Sequence, residues 1–484
     1  MMMVPENQDD FNEHHQHEYG VASRYFRWLE GDAAAKALVQ RQRIIDSLTS
    51  VHWDYHNTKV YRHALSPGCR LCGSGSWSCL FINGLCRAGC FFCPTTQETE
   101  GVPGTNNLDF EQPRDYLDYV ARFQFQGVSF SGGEPFLTPD RTLKFLAEVR
   151  KRFGTSLYIW IYTSGAGLTS GILRELQAVG LDEMRFNLCA TDYKLGKIKE
   201  AVTFIKHVTI EIPAVPEDYS RLNVLLKDAS EAGVSFLNLH QLRCTPHNYR
   251  HFLERDYTFI YGRHPAVFES EMTALRLLQL AEQENAKLPI NYCSYVYKQR
   301  YQAMAARKRA AAYVCEPFEE ITENGYIRRL TLTDTPKAIQ KIITTWGRAH
   351  QKKSLWSLNS IGDQLSFHRS LWPDIIASEY STTSVSYFTA VLRETCANRN
   401  HTKTIHLNSE RVICSEKIPV LKELPLKGTT LVWFRDRFMK SAQKKSSSPH
   451  DPINDLAAIV PDEEHACNRI LELEKIPEGL QTFL

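Results

Sequence analysis

The chain of 484 residues lacks any run of about 18 or more apolar residues, so no segment is suited to cross a bilayer as a helix. It also lacks an apolar signal segment behind its opening Met1-Met2-Met3-Val4-Pro5-Glu6-Asn7, which sets the expectation of a cytoplasmic protein. Net charge is almost absent: 57 Lys and Arg against 55 Asp and Glu leave +2. That excludes a strongly basic field for holding nucleic acid and leaves only local patches for such contact. No internal repeat is evident. What the chain has in quantity is cysteine, 13 in all, with six of them between Cys69 and Cys93. An odd count in a chain of this kind is not a secreted disulfide framework, and the crowding points to metal or iron–sulfur ligation. A composition of 43% hydrophobic and 23% charged residues is that of a chain that buries a core.

Residues 1–18 are polar, carry His14, His15 and His17, and read as a disordered tail. Residues 19–78 read as a helical extension with a Cys-rich segment, its amphipathic pattern running from Tyr25 to Leu48. Residues 79–310 alternate short apolar runs with helical ones. Strands are expected at 79–83, 127–131, 157–163, 183–188, 208–214 and 236–242, with helices near 115–123, 142–153, 172–179, 194–205 and 221–232. Gly180 and Gly233 stand where C′ glycines end helices. A helix near 272–285 and a further short strand within 288–294 follow, then a basic helix through Tyr297, Arg300, Tyr301, Arg307, Lys308 and Arg309. The alternation implies parallel strands joined by crossover helices, in an open sheet or a partial β/α barrel. Residues 311–440 read as an α+β accessory module, with strands at 326–332, 404–407, 412–414 and 430–434 and helices at 336–349 and 385–395. Residues 441–484 read as a linker and a helical tail.

Just past the first strand stands Cys86-Arg87-Ala88-Gly89-Cys90-Phe91-Phe92-Cys93-Pro94. Three thiolates at spacings of four and three can cover one face of a [4Fe–4S] cube and leave one iron open. A structural zinc site is the rival reading, supported by Cys69, Cys72 and Cys79 nearby, although zinc asks for a fourth ligand. The next strand runs into Ser131-Gly132-Gly133-Glu134-Pro135, where two glycines let backbone groups approach a ligand and Glu134 adds an acceptor for an ammonium group.

Together, Cys86-x-x-x-Cys90-x-x-Cys93 and Gly132-Gly133-Glu134-Pro135 resemble the radical S-adenosylmethionine (radical SAM) superfamily. Weaker matches follow at Tyr162-Thr163-Ser164-Gly165, where the family often has Thr-Asn-Gly, at 180–187 and at 211–214. The stretches 66–72, 238–242 and 291–294, with Lys298 and Gln302, look like a branch related to pyruvate formate-lyase activating enzymes. The resemblance implies an α/β fold, a partial (β/α)6 barrel with its site at the C-terminal ends of the strands. It implies that Cys86, Cys90 and Cys93 hold a [4Fe–4S] cluster and that Phe92 leans on the adenine of SAM. The 132–134 backbone and Glu134 would hold the methionine ammonium, Thr163 and Ser164 the ribose, and Arg185 or Asn187 the carboxylate. The implied chemistry is reductive cleavage of SAM to a 5′-deoxyadenosyl radical that takes hydrogen from a protein, peptide or small metabolite. An electron donor such as flavodoxin or ferredoxin is the implied partner.

A second metal site, iron–sulfur or zinc, is the reading of Cys69-x-x-Cys72 completed by Cys79, Cys293 or Cys315, with packed reduced thiols as the alternative. Gln241, Cys244, His247 and Asn248 follow the sixth strand, and Cys244 and Asn248 are the candidate catalytic residues. Contrasting readings of the whole chain are a noncatalytic zinc-stapled binding protein and a radical SAM enzyme acting on RNA.

Overall fold

The computed structural model describes residues 8–262, 264–349, 353–374, 381–396, 401–439 and 461–482. The chain divides into two compact units. One contains Pro5–Ala305 with His406–Arg411 and Glu478–Leu484; the other contains Ala306–Ile405 and Val412–Pro477.

The first unit opens with helices Gln8–Tyr19 (α1) and Gly31–Ser47 (α2), a hairpin of His52–Asp54 (β1) and Lys59–Arg62 (β2), and the short helix Pro67–Gly73 (α3). Then the βα rhythm begins: Trp77–Leu85 (β3), Pro113–Arg122 (α4), Gly127–Gly132 (β4), Pro139–Phe153 (α5), Tyr158–Thr163 (β5), Ser170–Val179 (α6), Glu183–Phe186 (β6). It continues through Gly196–Ala201 (α7), His207–Pro213 (β7), Tyr219–Glu231 (α8), Phe236–His240 (β8), Phe268–Gln283 (α9) and Ile290–Cys293 (β9). Strands β3 to β9 pair in chain order and all in parallel. The run within 288–294 is therefore a seventh parallel strand beyond the six. β2 closes one edge antiparallel to β9, and short strands at Gly104–Thr105 and Leu108–Asp109 close the other.

Local chemistry accounts for the elements. β5 reads Tyr-Ile-Trp-Ile-Tyr-Thr, β-branched and aromatic throughout, with Ile159 and Ile161 fully buried. Its alternate residues carry the polar contacts: Trp160 stacks on Trp77 at 5.7 Å, and Tyr162 accepts from Arg185. α6 starts where the Thr169 hydroxyl accepts from Ile172 N and ends at Gly180, whose φ of +84° no side chain adopts cheaply. The amides of Gly180 and Leu181 both return to the Leu176 carbonyl.

Several expectations are corrected. Residues 8–18 are not a disordered tail but most of α1, because His15 finds a buried seat: its ring stacks on Trp28 at 4.9 Å and bonds the Gly262 carbonyl at 2.7 Å. Residues 1–7 lie outside the described residues. The 19–78 segment is not a separate extension, since β2 pairs with β9 and belongs to the same compact unit. The helix expected at 194–205 is only Gly196–Ala201.

The second unit holds a mainly antiparallel sheet, with Ile327–Thr333 (β10), Trp356–Leu358 (β11), Gln364–Phe367 (β12), Thr382–Arg393 (β13), Thr402–His406 (β14) and Val412–Leu426 (β15) in the order β11-β12-β10-β13-β15-β14. The expected helix at 385–395 is thus a strand. It is a central one buried on both faces, and its alternation is confined to the short stretch Ser384-Val385-Ser386-Tyr387. The expected strand at 430–434 is instead the helix Gly428–Phe434, with Trp433 and Phe434 both in the core; a five-residue apolar run does not distinguish the two states. Pro336–Ala349 is a helix as expected, and Pro461–Glu474 is the helical tail. The linker expected at 441–452 lies outside the described residues. Cys396 and Cys414 are joined by a disulfide across 5.7 Å between Cα atoms.

Candidate active site

β3 delivers Cys86 at its end, and Cys90 and Cys93 follow in an irregular loop. All three thiols are partly exposed. Gly89 has φ +60° with open space around it, the left-handed turn the loop needs to bring its cysteines to one side. The loop is held from outside: Asn248 Nδ2 donates to the Phe92 carbonyl at 3.1 Å, and Thr245 Oγ1 donates to the Pro94 carbonyl at 3.2 Å. The Arg255 guanidinium lies 3.7 Å over the Phe91 ring. Thr245 and Asn248 also lock each other, Thr245 N donating to Asn248 Oδ1 at 2.8 Å. Their Thr-x-x-Asn spacing was the available signal for this clamp, and sequence reasoning did not use it.

The donor set suits a cationic cluster. Burial, then the charges of Cys86 and Cys93, push the Cys90 thiol up to about 11. Three thiolates repel one another here unless a cation joins them. Among the described residues no group of three or more His, Cys, Asp or Glu side chains is placed to hold a metal ion, so the ligand assignment rests on the loop's spacing and chemistry. Beside the loop, Asn187 Nδ2 lies 3.9 Å from Cys90 Sγ, and Asn187 Oδ1 is buried without a partner, as an atom awaiting a ligand donor would be.

The glycine turn is joined directly to the strand that feeds this loop. Gly133 N donates to Asn83 O at 2.8 Å and Glu134 N to Leu85 O at 2.5 Å. A Cβ on Gly133 would fall 1.9 Å from Leu85 O, and one on Gly132 2.2 Å from Asn83 O. Both glycines are therefore required by the approach of two strands. The Gly133 and Glu134 amides are spent on β3, which leaves carbonyl oxygens as the groups fit to accept from an ammonium. The Glu134 carboxylate is 1% exposed and accepts from Thr163 Oγ1 at 2.7 Å, from Ser164 N and Oγ at 2.6 Å each, and from Phe136 N at 3.2 Å. Burial raises its carboxyl, and these four donors oppose the rise. The structure thus brings Glu134, Thr163 and Ser164 together as one knot at the ends of β4 and β5.

Three other expectations change. Arg185 does not reach toward a cofactor: it is 3% exposed, bonds Glu183 at 2.9 Å, Glu211 at 3.0 Å and Ser66 at 3.0 Å, and lies over Trp160. Of the pair Arg185 or Asn187, only Asn187 keeps a free polar atom by the cluster loop. Cys244 is fully buried in an apolar cluster with Phe252, Tyr257 and Phe259, where burial pushes its thiol well up, so it is not poised to react. Asn248 is 1% exposed and wholly engaged as the loop clamp, a positioning residue.

The second cysteine set is only partly assembled. Cys79 lies on β3, opposite Ser129 of β4. Cys69 and Cys72 face Cys293 around the buried ammonium of Lys59, which lies 2.8 Å from Cys293 Sγ. Cys69 Sγ accepts from Asn238 Nδ2 at 3.3 Å, and Cys72 Sγ from Gln302 Nε2 at 2.9 Å. α3 carries the first two inside the barrel wall: a Cβ on Gly68 would meet Arg185 Nη2 at 2.4 Å. Cys315 lies outside this group, in the second unit. Sequence reasoning also missed Lys59 and the Glu211–His240 pair, which only the barrel closure brings together.

Residues 80–235 match the sequence profile of the Radical SAM superfamily. Residues 80–235 form a radical SAM domain. This radical SAM domain spans β3 to the end of α8 and contains the cluster loop, the glycine turn and the Glu134 knot. A curated relative, "Putative glycyl-radical enzyme activating enzyme" of Methanocaldococcus jannaschii, is 28% identical over 277 residues, covering 55% of this chain and 72% of the relative. Among solved structures, SuiB of Streptococcus suis bound to S-adenosylmethionine aligns at 11% identity and TM-score 0.35, over 57% of this chain and 63% of SuiB. Coproporphyrinogen III oxidase of Escherichia coli aligns at 13% identity and TM-score 0.30, over 49% of this chain and 62% of that one. The chain spans less than two thirds of each of those solved proteins. The matched domain is an enzyme domain for SAM-dependent radical generation. No described helix is long and apolar enough to cross a membrane.

Proposed function

We propose that this protein cleaves SAM reductively at the Cys86–Cys93 loop and directs the resulting radical at a hydrogen atom of a protein partner. A [4Fe–4S] cluster with one iron free of protein ligand supplies, when bound and reduced, the electron that breaks the carbon–sulfur bond. The chain's own residues do the rest. Cys86, Cys90 and Cys93 hold iron; the carbonyls of the glycine turn accept from the methionine ammonium; Asn187 Oδ1 accepts from SAM beside Cys90. Phe92 would meet the adenine, and the Thr163–Ser164–Glu134 knot keeps the turn rigid and would offer its hydroxyls to the ribose. The apolar cluster of Tyr19, Phe26, Phe91, Phe92 and Phe252 keeps water from the loop's flank.

The observation that carries the reading is one strand end shared by two motifs: β3 runs into the three cysteines while its last carbonyls hold the glycine turn. A protein substrate is supported by the relative named as an activating enzyme of a glycyl-radical enzyme; reductive cleavage itself calls for a one-electron donor, of ferredoxin or flavodoxin type. The test is anaerobic reconstitution with iron and sulfide, then SAM plus a strong reductant, with 5′-deoxyadenosine as the readout. Cys90→Ala is expected to abolish product and bleach most of the iron–sulfur absorbance. Turnover that survives in this variant, or stoichiometric zinc with no iron after reconstitution, overturns the assignment.

A further inference from the structure

Two cations just past the ends of β8 and β9, Arg243 and Lys298, have no carboxylate salt-bridge partner among the described residues. β8 ends at His240 and β9 at Cys293, directly opposite each other in register. Arg243 follows the first strand end and Lys298 the second. Their exits are tied together: Gln241 N donates to Cys293 O at 3.3 Å, and Tyr295 N donates to Gln241 Oε1 at 2.9 Å. The Arg243 guanidinium lies 5.5 Å over the Tyr295 ring. Lys298 opens a π-helical turn, Lys298–Ala303, a distortion frequent at functional sites.

Arg243 and Lys298 are both half-buried, and among the described residues neither has a carboxylate partner. The nearby acid, Glu211, is already committed to Arg185, Asn238 and His240. Burial would raise the Glu211 carboxyl, but these neighbours hold it well below the usual range, so it stays an ion without charge to spare. Burial lowers Lys298 despite relief from Cys293 and Glu211, and Arg243 lowers it further. The Nδ1 atom of His240 is buried with no partner while its Nε2 bonds Glu211. A half-buried cation pair of this kind is unfavourable unless an anion completes it.

We propose that Arg243 and Lys298 form the binding site for an anionic group, carboxylate or phosphate, of the molecule on which the radical acts, with His240 Nδ1 as a third contact. The site belongs beside the chemistry because Thr245 and Asn248, in the same short loop as Arg243, grip the cluster loop at Pro94 and Phe92. Only the word substrate rests on the proposed function; the anion site stands on its own side chains.

The test uses the full chain with its cluster reconstituted. It is titrated calorimetrically with inorganic phosphate and, separately, with succinate, while dimethyl succinate serves as the uncharged control. One anion is expected to bind at one site per chain, and whichever binds tighter identifies the group. Lys298→Met and Arg243→Gln are each expected to weaken it about tenfold or more, the scale of one lost charge-assisted bond. Lys298→Arg keeps the charge and should stay within about threefold. Circular dichroism of each variant establishes that the fold is intact. No binding of either anion by the wild type, undiminished binding by both charge-removing variants, or a loss in Lys298→Arg equal to that in Lys298→Met overturns the site. Competitive displacement of the anion by SAM overturns its assignment to substrate. SAM cleavage by the wild type, run in parallel without added anion, reports on the proposed function separately.

Discussion

Inside the parallel strand wall the buried side chains include Lys59, Glu183, Arg185, Glu211, Asn238 and Asn291, joined to the thiols of Cys69 and Cys293. The C-terminal sheet instead closes over Leu332, Trp346, Leu365, Phe367, Val385 and Phe434, all essentially without solvent contact. The second unit also buries ion pairs, Arg328 with Glu474 and Lys417 with Glu319, but this apolar cluster is the part that removes area from water with few polar groups to satisfy. The first is costly to build, because each buried charge must find its partner. A polar interior is retained where chemistry has to be held in place, and here it lies under the ends of the strands that carry the cluster loop and the Glu134 knot.

Three measurements would sharpen or break that contrast. Replacing Arg185 with Met leaves Glu183 and Glu211 buried without their cation and should cost roughly 3–5 kcal/mol in urea unfolding. Arg185→Lys should recover part of it. A loss under about 1 kcal/mol would mean that the charges are not working as a network. In the apolar unit, Leu332→Ala removes a fully buried side chain and should cost about 3 kcal/mol through lost transfer energy and the cavity left behind. Near-neutral behaviour there would place that core in doubt.

The third measurement concerns α1. Burial, only partly offset by the bond to Gly262, brings His15 down from 6.5 to about 4. The docked helix therefore carries a neutral ring, while the undocked helix binds a proton between those values. The stabilisation is complete above the ordinary value and declines as pH falls toward 4, by about 2 kcal/mol at pH 5. Amide exchange across residues 12–19 should accelerate between pH 7 and pH 5 beyond the intrinsic rate change, and His15→Gln should abolish the excess. Uniform protection at both pH values would sink this account of how the helix is held.

The barrel was legible because each βα unit announces itself: short β-branched runs, a glycine after a helix, and motifs at strand ends. The second unit was less so. Thr382–Arg393 is buried on both faces, polar Ser384 and Ser386 included, and its short Ser-Val-Ser-Tyr alternation does not by itself separate strand from helix; its neighbours in the sheet decide it. Cys244 and Asn248, read as candidate catalytic residues, are engaged otherwise in the fold, Cys244 in an apolar cluster and Asn248 in a loop clamp, since chemistry-bearing residue types look the same in sequence whether they react or hold a loop.

The spacing of Cys86, Cys90 and Cys93 and the run Gly132-Gly133-Glu134-Pro135 carry by themselves the resemblance to the radical SAM superfamily, because ligand spacing and backbone clearance act over a few neighbouring residues. Tertiary structure alone decided that Glu134 is tied to Thr163 and Ser164, that Arg185 faces two glutamates, and that Lys59 lies against Cys293, which is 234 residues away. Partners so far apart meet only when parallel strands close around them, and no local pattern records which charge a buried side chain will face.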